Sequence, residues 1–183
     1  MYRVNEIFYS LQGEGYWTGT PMVFVRLSGC NLLCPFCDTD HSAFTEMSAD
    51  EIVREALKYS ARRICLTGGE PSLQADNALI GAFHGAGFTV HIETNGTRPL
   101  PKGIDWVTVS PKSAIVLDRA DELKLVLSDG ADPAKWEGFP AAWHFLQPCD
   151  NAGLMNTEEV VSYIMEHPVW RLSLQTHKLL GIR

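Results

Sequence analysis

The segment SGCNLLCPFCDTD places three cysteines, Cys30, Cys34 and Cys37, within eight positions and follows them with oxygen-bearing side chains. On one loop, thiolates at this C-x3-C-x2-C spacing can hold three corners of an iron–sulfur cube. A structural zinc site prefers four ligands, usually in two separated pairs, and the two remaining cysteines belong to other segments. The spacing therefore favours a cluster with one iron left open for a ligand, and a zinc site or a redox-sensing set of thiols stays open as the alternative.

Four other polar motifs follow segments that have the pattern of β-strands. They are GGEP (68–71), ETNG (93–96), SPK (110–112) and QPCD (147–150). In parallel α/β architectures, ligands bind at the edge of the sheet where the strands end. Because the cysteine segment also follows a strand, the sequence predicts one shared site at that edge.

The elements that must position these motifs alternate between strand and helix. Such alternation predicts parallel strands joined by right-handed crossovers. A complete eight-unit barrel needs about 250 residues, so we expect one domain over 1–183 that forms a shortened, open parallel (β/α) barrel of about six units of the α/β class. The predicted strands are 22–29, 63–67, 88–96, 104–112, 121–129, 141–150 and a short last strand within 170–178. Three helices are predicted: one that begins at the capping box of Ser48 and Glu51, one over 72–87, and one over 157–167 with Thr157 as N-cap.

The composition excludes several classes of partner. The chain has 183 residues, 45% of them hydrophobic, and a net charge of −7, which argues against non-specific binding to nucleic acid or to an acidic membrane. No apolar run approaches the roughly 20 residues of a membrane span, and the N-terminal segment lacks the basic and then apolar pattern of a secretion signal. We therefore expect a cytoplasmic protein with reduced thiols and without nucleic-acid or membrane partners.

Taken together, these motifs resemble a known superfamily. The C-x3-C-x2-C motif with an aromatic residue, Phe36, before the third cysteine, followed by a strand ending in GGEP, is similar to the radical S-adenosylmethionine (SAM) superfamily. The resemblance implies a [4Fe–4S] cluster on Cys30, Cys34 and Cys37, with SAM bound to the open iron. The reduced cluster would cleave a carbon–sulfur bond of SAM to give a 5′-deoxyadenosyl radical.

Further motifs, spread over nearly the whole chain, narrow the resemblance to one family. EIFYSLQGEG, FVRLSGCN, CDT, LTGGEP, ETNG, SPK, LQP and LQTH together resemble the 7-carboxy-7-deazaguanine synthase family. This implies conversion of 6-carboxy-5,6,7,8-tetrahydropterin to 7-carboxy-7-deazaguanine with loss of ammonia, by hydrogen abstraction and ring contraction, in the pathway to queuosine and related 7-deazapurines. It also implies Mg²⁺, an electron donor such as a flavodoxin, and a homodimer. The chain is short for the family, with trimmed connections.

The resemblance also assigns roles to individual residues. Arg26 would bind the substrate carboxylate with its guanidinium fork, and Thr39 would be the Mg²⁺ ligand, although spacing alone would have pointed to Asp38 or to a simple turn. The other substrate contacts would be Leu11, Gln12, Gly13, Glu14, Thr67 and His177. The SAM-binding residues would be Phe36, Cys37, Asp38, Gly69, Ser110, Pro111, Lys112, Gln147, Pro148, Cys149 and Asp150.

Some residues and functions stay open at this point. Glu93 and Asn95 lie at a strand end without an assigned contact, and His177 has a structural role as its alternative. Cys65 and Cys149 are expected to be buried, inert thiols. A radical SAM activase, which makes a glycyl radical on a partner protein, would use the same cysteine spacing. Such an activase needs an exposed surface for a large partner, whereas LQGEG and Arg26 favour an enclosed pocket for a small anion.

Overall fold

A computed structural model describes residues 1–37, 39–40, 42–151 and 153–183. Within these residues, most of the strands join one sheet and two short strands form a separate hairpin. The strands are β1 (Tyr2–Leu11), β2 (Pro21–Leu27), β3 (Thr45–Met47), β4 (Arg63–Gly68), β5 (Thr89–Thr94), β6 (Trp106–Val109), β7 (Ala120–Leu127), β8 (Ala141–Pro148), β9 (Asp150–Asn151), β10 (Leu154–Met155) and β11 (Trp170–Leu172).

The described part of the main sheet has nine strands in the order β11-β8-β7-β6-β5-β4-β2-β1-β3. From β2 to β11 the neighbouring strands pair in parallel, which confirms the predicted open, mainly parallel α/β sheet. At the other edge, β1 pairs antiparallel with both β2 and β3. Strand β1 was not predicted from the sequence. After it, the chain reverses through a turn in which Gln12 N–H donates to Thr20 O at 2.8 Å.

The parallel strands have one apolar face and one mixed face because successive side chains point to opposite sides of a sheet. In β7, Leu123, Leu125 and Leu127 are buried in a hydrophobic cluster, while Glu122 and Lys124 alternate with them on the other face. The apolar faces of the strands form two clusters under the helices. The mixed face forms the concave interior of the open barrel.

Two helices cover the first cluster. Helix α1 (Ala49–Ala56) begins with the predicted capping box, in which the Ser48 side chain accepts from Glu51 N–H and the Glu51 side chain accepts from Ser48 N–H. The predicted helix 72–87 is wrong in its first part: a 3-10 turn (Pro71–Leu73) precedes α2 (Asn77–Gly85). The break occurs because the Asp76 carboxylate accepts from Leu79 N–H at 2.9 Å and caps the new helix.

The C-terminal helices also differ from the prediction in detail. Helix α3 (Thr157–Glu166) has Asn156, not Thr157, at its N-cap position. The last predicted strand ends at Leu172, and its remainder contains α4 (Thr176–Leu180). No helix is described between β5 and β6 or between β6 and β7, so the predicted alternation is incomplete there.

In the part of the chain that the structure describes, no helix has the length and apolar character needed to cross a membrane.

Candidate active site

A cavity of about 760 Å³ opens where the parallel strands end, and its volume is in the range of pockets for small-molecule ligands. Of the predicted site residues, Pro111 is buried and does not line the cavity, and Asp38 lies outside the described residues. The predicted residues that line the cavity are Leu11, Gln12, Gly13, Glu14, Arg26, Cys30, Cys34, Phe36, Cys37, Thr39, Thr67, Gly69, Ser110, Lys112, Gln147, Pro148, Cys149, Asp150 and His177, together with Glu93 and Asn95.

The cysteine loop forms one wall of the cavity. Cys30 and Cys34 are partly buried and Cys37 is exposed, and a turn in which Cys37 N–H donates to Cys34 O at 3.1 Å brings the last two together. Burial raises the pKa of the Cys34 thiol, while the nearby Lys112 ammonium acts in the opposite direction. Three soft sulfur donors on one wall fit an iron–sulfur cluster better than a hard cation.

The remaining cysteines do not complete this set. Cys65 is buried beside Phe8, Met22 and Phe24 and does not line the cavity, and burial raises the pKa of its thiol well above its usual range. The expectation that Cys149 is buried is wrong: it is only partly buried, because it follows the end of β8, where it lines the cavity. Among the described residues, no three Cys, His, Asp or Glu side chains form a group that could hold a single metal ion.

The GGEP and ETNG motifs are joined by one buried carboxylate. Glu70 has no exposed surface and accepts three hydrogen bonds: from Ser72 N–H at 2.9 Å, Thr94 Oγ1 at 2.7 Å and Asn95 N–H at 2.7 Å. Glu70 N–H itself donates to Gly29 O at 2.9 Å. The loop after β4 is thereby fixed to the loop after β5 and to the segment that enters the cysteine loop.

Gly69 is needed for the close approach of the GGEP motif to the cysteine loop. A Cβ at this position would overlap the Gly29 carbonyl and lie 2.8 Å from the Cys30 Cβ. A side chain would therefore displace the segment that carries the first cysteine. The structure gives a steric reason for glycine here that is separate from the predicted contact with SAM.

Arg26 projects from β2 into the cavity beside the predicted Mg²⁺ ligand. Its Nε donates to Glu6 Oε1 at 2.8 Å, and its Nη1 donates to Thr39 Oγ1 at 3.3 Å. A carboxylate bound by this guanidinium would lie next to the Thr39 hydroxyl. Since Mg²⁺ takes oxygen ligands and often keeps few protein contacts, one hydroxyl beside a carboxylate-binding arginine fits the predicted arrangement.

Lys124, which the sequence analysis missed, lies at the centre of a charged group in the barrel interior. Its Nζ donates to a Glu14 carboxylate oxygen and to Glu93 Oε2, the latter at 3.0 Å. The Gln12 amide donates to Glu93 Oε1 at 2.7 Å, and the Gln175 amide donates to Glu14 Oε1 at 3.0 Å. The signal was present in DELKLVL, where a lysine and a glutamate alternate with leucines in a strand.

The charges in this group determine its protonation. Burial alone would raise the pKa of Glu14, but the Lys124 ammonium and the Gln175 amide outweigh burial and lower that pKa to about 2. Burial likewise opposes the charge on Lys124, yet Glu14 and Glu93 raise its pKa above the usual range. The neighbouring Glu122 is different, because burial raises its pKa to about 7. Lys124 and Glu14 are therefore both ionised at neutral pH.

The C-terminal segment closes the cavity beside the turn after β1. Gly13 O accepts from both the N–H and the Oγ1 of Thr176, at 3.0 and 2.9 Å, and His177 packs against Gly13. On the other side of α4, Lys178 Nζ donates to Asp150 Oδ2 at 3.0 Å. The structure thus brings the predicted residue His177 to the cavity from a helix that the sequence analysis treated as a strand.

The sequence and the fold are both similar to those of known proteins. Residues 24–114 match the Radical SAM superfamily. A 7-carboxy-7-deazaguanine synthase of Bacteroides thetaiotaomicron is 59% identical over the whole length of both chains, and one of Bradyrhizobium diazoefficiens is 43% identical over 100% of this chain and 99% of its own. The crystal structure of QueE from Escherichia coli superposes with a TM-score of 0.77 at 28% identity, covering 94% of this chain and 93% of that one.

Proposed function

Because the chain belongs to the 7-carboxy-7-deazaguanine synthase family of radical SAM enzymes, we propose that it converts 6-carboxy-5,6,7,8-tetrahydropterin to 7-carboxy-7-deazaguanine with loss of ammonia. The supporting observation is that one cavity holds three cysteines and a carboxylate-binding arginine. The cysteines would bind a metal cluster, and the arginine would bind a small anion beside that cluster. The reaction makes the protein a carbon–nitrogen lyase of 7-deazapurine biosynthesis.

The cysteine loop and the ends of the parallel strands would hold the cofactors. Cys30, Cys34 and Cys37 would ligate the [4Fe–4S] cluster, and Thr39 would bind Mg²⁺. When bound, the reduced cluster and SAM supply the 5′-deoxyadenosyl radical that abstracts a hydrogen atom from the substrate. The SAM-binding residues would be Phe36, Cys37, Asp38, Gly69, Ser110, Pro111, Lys112, Gln147, Pro148, Cys149 and Asp150.

The chain's own residues would orient the pterin and exclude water. Arg26 would hold the substrate carboxylate in a bidentate interaction next to Thr39. Glu14, which is ionised, would accept from the guanidine-like N–H groups at the opposite end of the substrate. Fixing both ends of the bicyclic substrate restricts which hydrogen can face the radical, and such positioning is the usual contribution of the protein when a cofactor carries out the difficult chemistry. Leu11, Gln12, Gly13, Thr67 and His177 would complete the substrate pocket.

Anaerobic turnover tests this proposal directly. The protein would be reconstituted with iron and sulfide and incubated with SAM, a reductant and carboxytetrahydropterin. Formation of a product with the ultraviolet spectrum of a 7-deazapurine is expected, and reconstituted protein that leaves the pterin unchanged would contradict the proposal. A preparation that binds zinc and no sulfide would support the non-catalytic alternative instead.

A glycyl-radical activase is the second candidate from the cysteine spacing, but the site disfavours it. The acceptors on Glu14 and Glu93 and the donor on Arg26 face the interior of a cavity, where they suit a small polar molecule better than a protein segment. We further propose that the chain acts as one domain over 1–183, in the cytoplasm, as a homodimer. It would receive electrons from a donor of the flavodoxin class. Light scattering in solution tests the homodimer.

A further inference from the structure

The ammonium group of Lys124 is buried in the middle of the proposed substrate pocket. The residue is 3% exposed, and it comes from β7, whereas its two carboxylate partners come from the turn after β1 and from β5. An unpaired ammonium would be very costly to bury. Its two ion pairs explain how this charge is tolerated, and they leave the question of what the group does at the cavity wall.

The hydrogen bonds around Lys124 fix two carboxylates side by side. Glu14 is held from one side by Lys124 and from the other by the Gln175 amide, and Glu93 is held in the same way by Lys124 and the Gln12 amide. Each carboxylate has about four lone-pair sites, so both keep acceptor capacity while their orientation is restrained.

The ammonium also keeps one donor of its own. It has three N–H groups, and its hydrogen bonds within the described residues go to Glu14 and Glu93. Lys124, Glu14 and Glu93 all line the cavity. The cavity wall therefore carries two carboxylate acceptors with a cationic donor beside them.

We propose that Lys124 is a positioning and specificity residue for the substrate ring, an inference that rests on the proposed function. Through its ion pairs it presents Glu14 and Glu93 as acceptors for the amino and ring N–H groups of a 2-amino-4-oxopyrimidine. Its third N–H donates to the ring carbonyl oxygen. Only a heterocycle with donors and a carbonyl along one edge satisfies all three groups, and a ring that lacks the exocyclic amine leaves a partly buried carboxylate without its partner.

The test compares binding of two ligands to the reconstituted enzyme with SAM and without reductant, so that no turnover occurs. Calorimetric titration would use 6-carboxytetrahydropterin and the analogue without the 2-amino group, with wild-type protein and Lys124→Met. In the wild type we expect the analogue to bind about 10- to 100-fold more weakly, the loss typical of hydrogen bonds to charged groups. In Lys124→Met we expect the pterin itself to weaken by a similar factor and the preference over the analogue to fall to about threefold or less.

The ratio of the two affinities separates positioning from a merely structural role. If Lys124→Met weakens both ligands equally and keeps the wild-type ratio, the inference is wrong. Lys135→Met is the matched control, because this lysine side chain is 74% exposed and lies outside the cavity; it is expected to keep both affinities. If Lys124→Met does not fold, as judged by its melting curve, Glu93→Gln replaces it with the same expected loss of discrimination, and an unchanged ratio there also overturns the inference.

Failure of the proposed function gives a different result. If the wild-type enzyme neither binds nor converts the carboxypterin, the function and this inference are both wrong. If the wild type binds and converts it while the variants keep the wild-type preference, only the role of Lys124 is wrong.

Discussion

At the scale of single residues, Arg26 allows the proposed substrate site to be tested separately from the proposed cluster site. Among the described residues, its guanidinium donates hydrogen bonds to Glu6 and Thr39 and to none of the three cysteines. Arg26→Ala is expected to weaken carboxypterin binding by about 1.5–3 kcal/mol, the range for a hydrogen bond to a charged group. Titration of the reconstituted variant measures this loss, and iron and sulfide analysis is expected to give wild-type values.

Arg171→Ala is the matched control for this substitution. The Arg171 guanidinium lies over the Trp143 ring, 4.0 Å from its centroid, and does not line the cavity. This variant should bind the pterin normally. Loss of iron in Arg26→Ala would contradict a role confined to the substrate.

Glu122 predicts a pH effect on stability. Burial raises its pKa from the ordinary value of 4.5 to about 7. Between about pH 4.5 and about pH 7, the folded protein therefore keeps a proton on Glu122 that the unfolded chain has released. Stability therefore falls as pH rises through this window and stays lower above it. Glu122→Gln, which is neutral throughout, is expected to be more stable than the wild type by about 3 kcal/mol near pH 8, with the difference vanishing below about pH 4.5.

Urea unfolding at about pH 5 and about pH 8 measures this difference. The glutamine can still accept the hydrogen bond that Tyr16 N–H donates to Glu122 at 3.1 Å. Glu46→Gln, at an exposed position on β3, is the control and should change little at either pH. An equal effect of Glu122→Gln at both pH values would show that the buried carboxyl does not titrate as described.

The residues recognised from sequence are those whose chemistry lies in short contiguous motifs. The cysteine loop and the GGEP motif carry their signal within a few positions. Lys124 acquires its role through Glu14, which is 110 positions away, and such a pairing has no local signal. The alternation of charged residues and leucines in β7 indicates a polar interior, but it does not name the partners.

At the scale of elements, the contact between the loop after β4 and the cysteine loop is steric. Gly69→Ala would place a methyl group against Gly29 and Cys30, and relief of the overlap requires a backbone shift. We expect a loss of about 1–3 kcal/mol in stability and less iron and sulfide retained after reconstitution. Unfolding curves and metal analysis measure the two effects.

Gly81→Ala in α2 provides the comparison for this substitution. A Cβ there meets no atom within 4 Å, and alanine in a helix interior is favoured over glycine by about 0.5–1 kcal/mol. This variant should be slightly more stable and should retain its iron. If both variants keep full iron content, the packing of Gly69 does not control the cysteine loop.

Element types were predictable from sequence more reliably than their ends. The strands of the parallel sheet can be predicted from apolar runs that are bounded by turn residues, and the start of α1 can be predicted from the capping box at Ser48. The helix predicted from residue 72 fails because Asp76 caps a second start within the same run. Strand β1 was missed because it lies between β2 and β3, and its antiparallel pairing with them has no signal within its own residues.

At the scale of the whole molecule, the first and last parts of the chain meet at the cavity. Helix α4 has no buried residue, and polar contacts to Gly13, Glu14 and Asp150 hold its segment. Since bound pterin would contact both Glu14 and His177, we expect hydrogen exchange of the α4 amides to slow when pterin is added.

Exchange followed by mass spectrometry measures this protection. The amides of α2, which packs on the first hydrophobic cluster, serve as the internal control and should not change. Unchanged exchange in α4 with pterin at saturation would show that the C-terminal segment does not contact the substrate.

The division of the apolar core has a consequence for how the protein unfolds. One cluster lies beneath α1 and α2 and the other beneath α3, and β6 contributes Val107 to the first and Val109 to the second. Cooperative unfolding of the two halves of the sheet therefore depends on β6, a strand of four residues. Weakening β6 would turn a single transition into two, with one half of the molecule melting before the other.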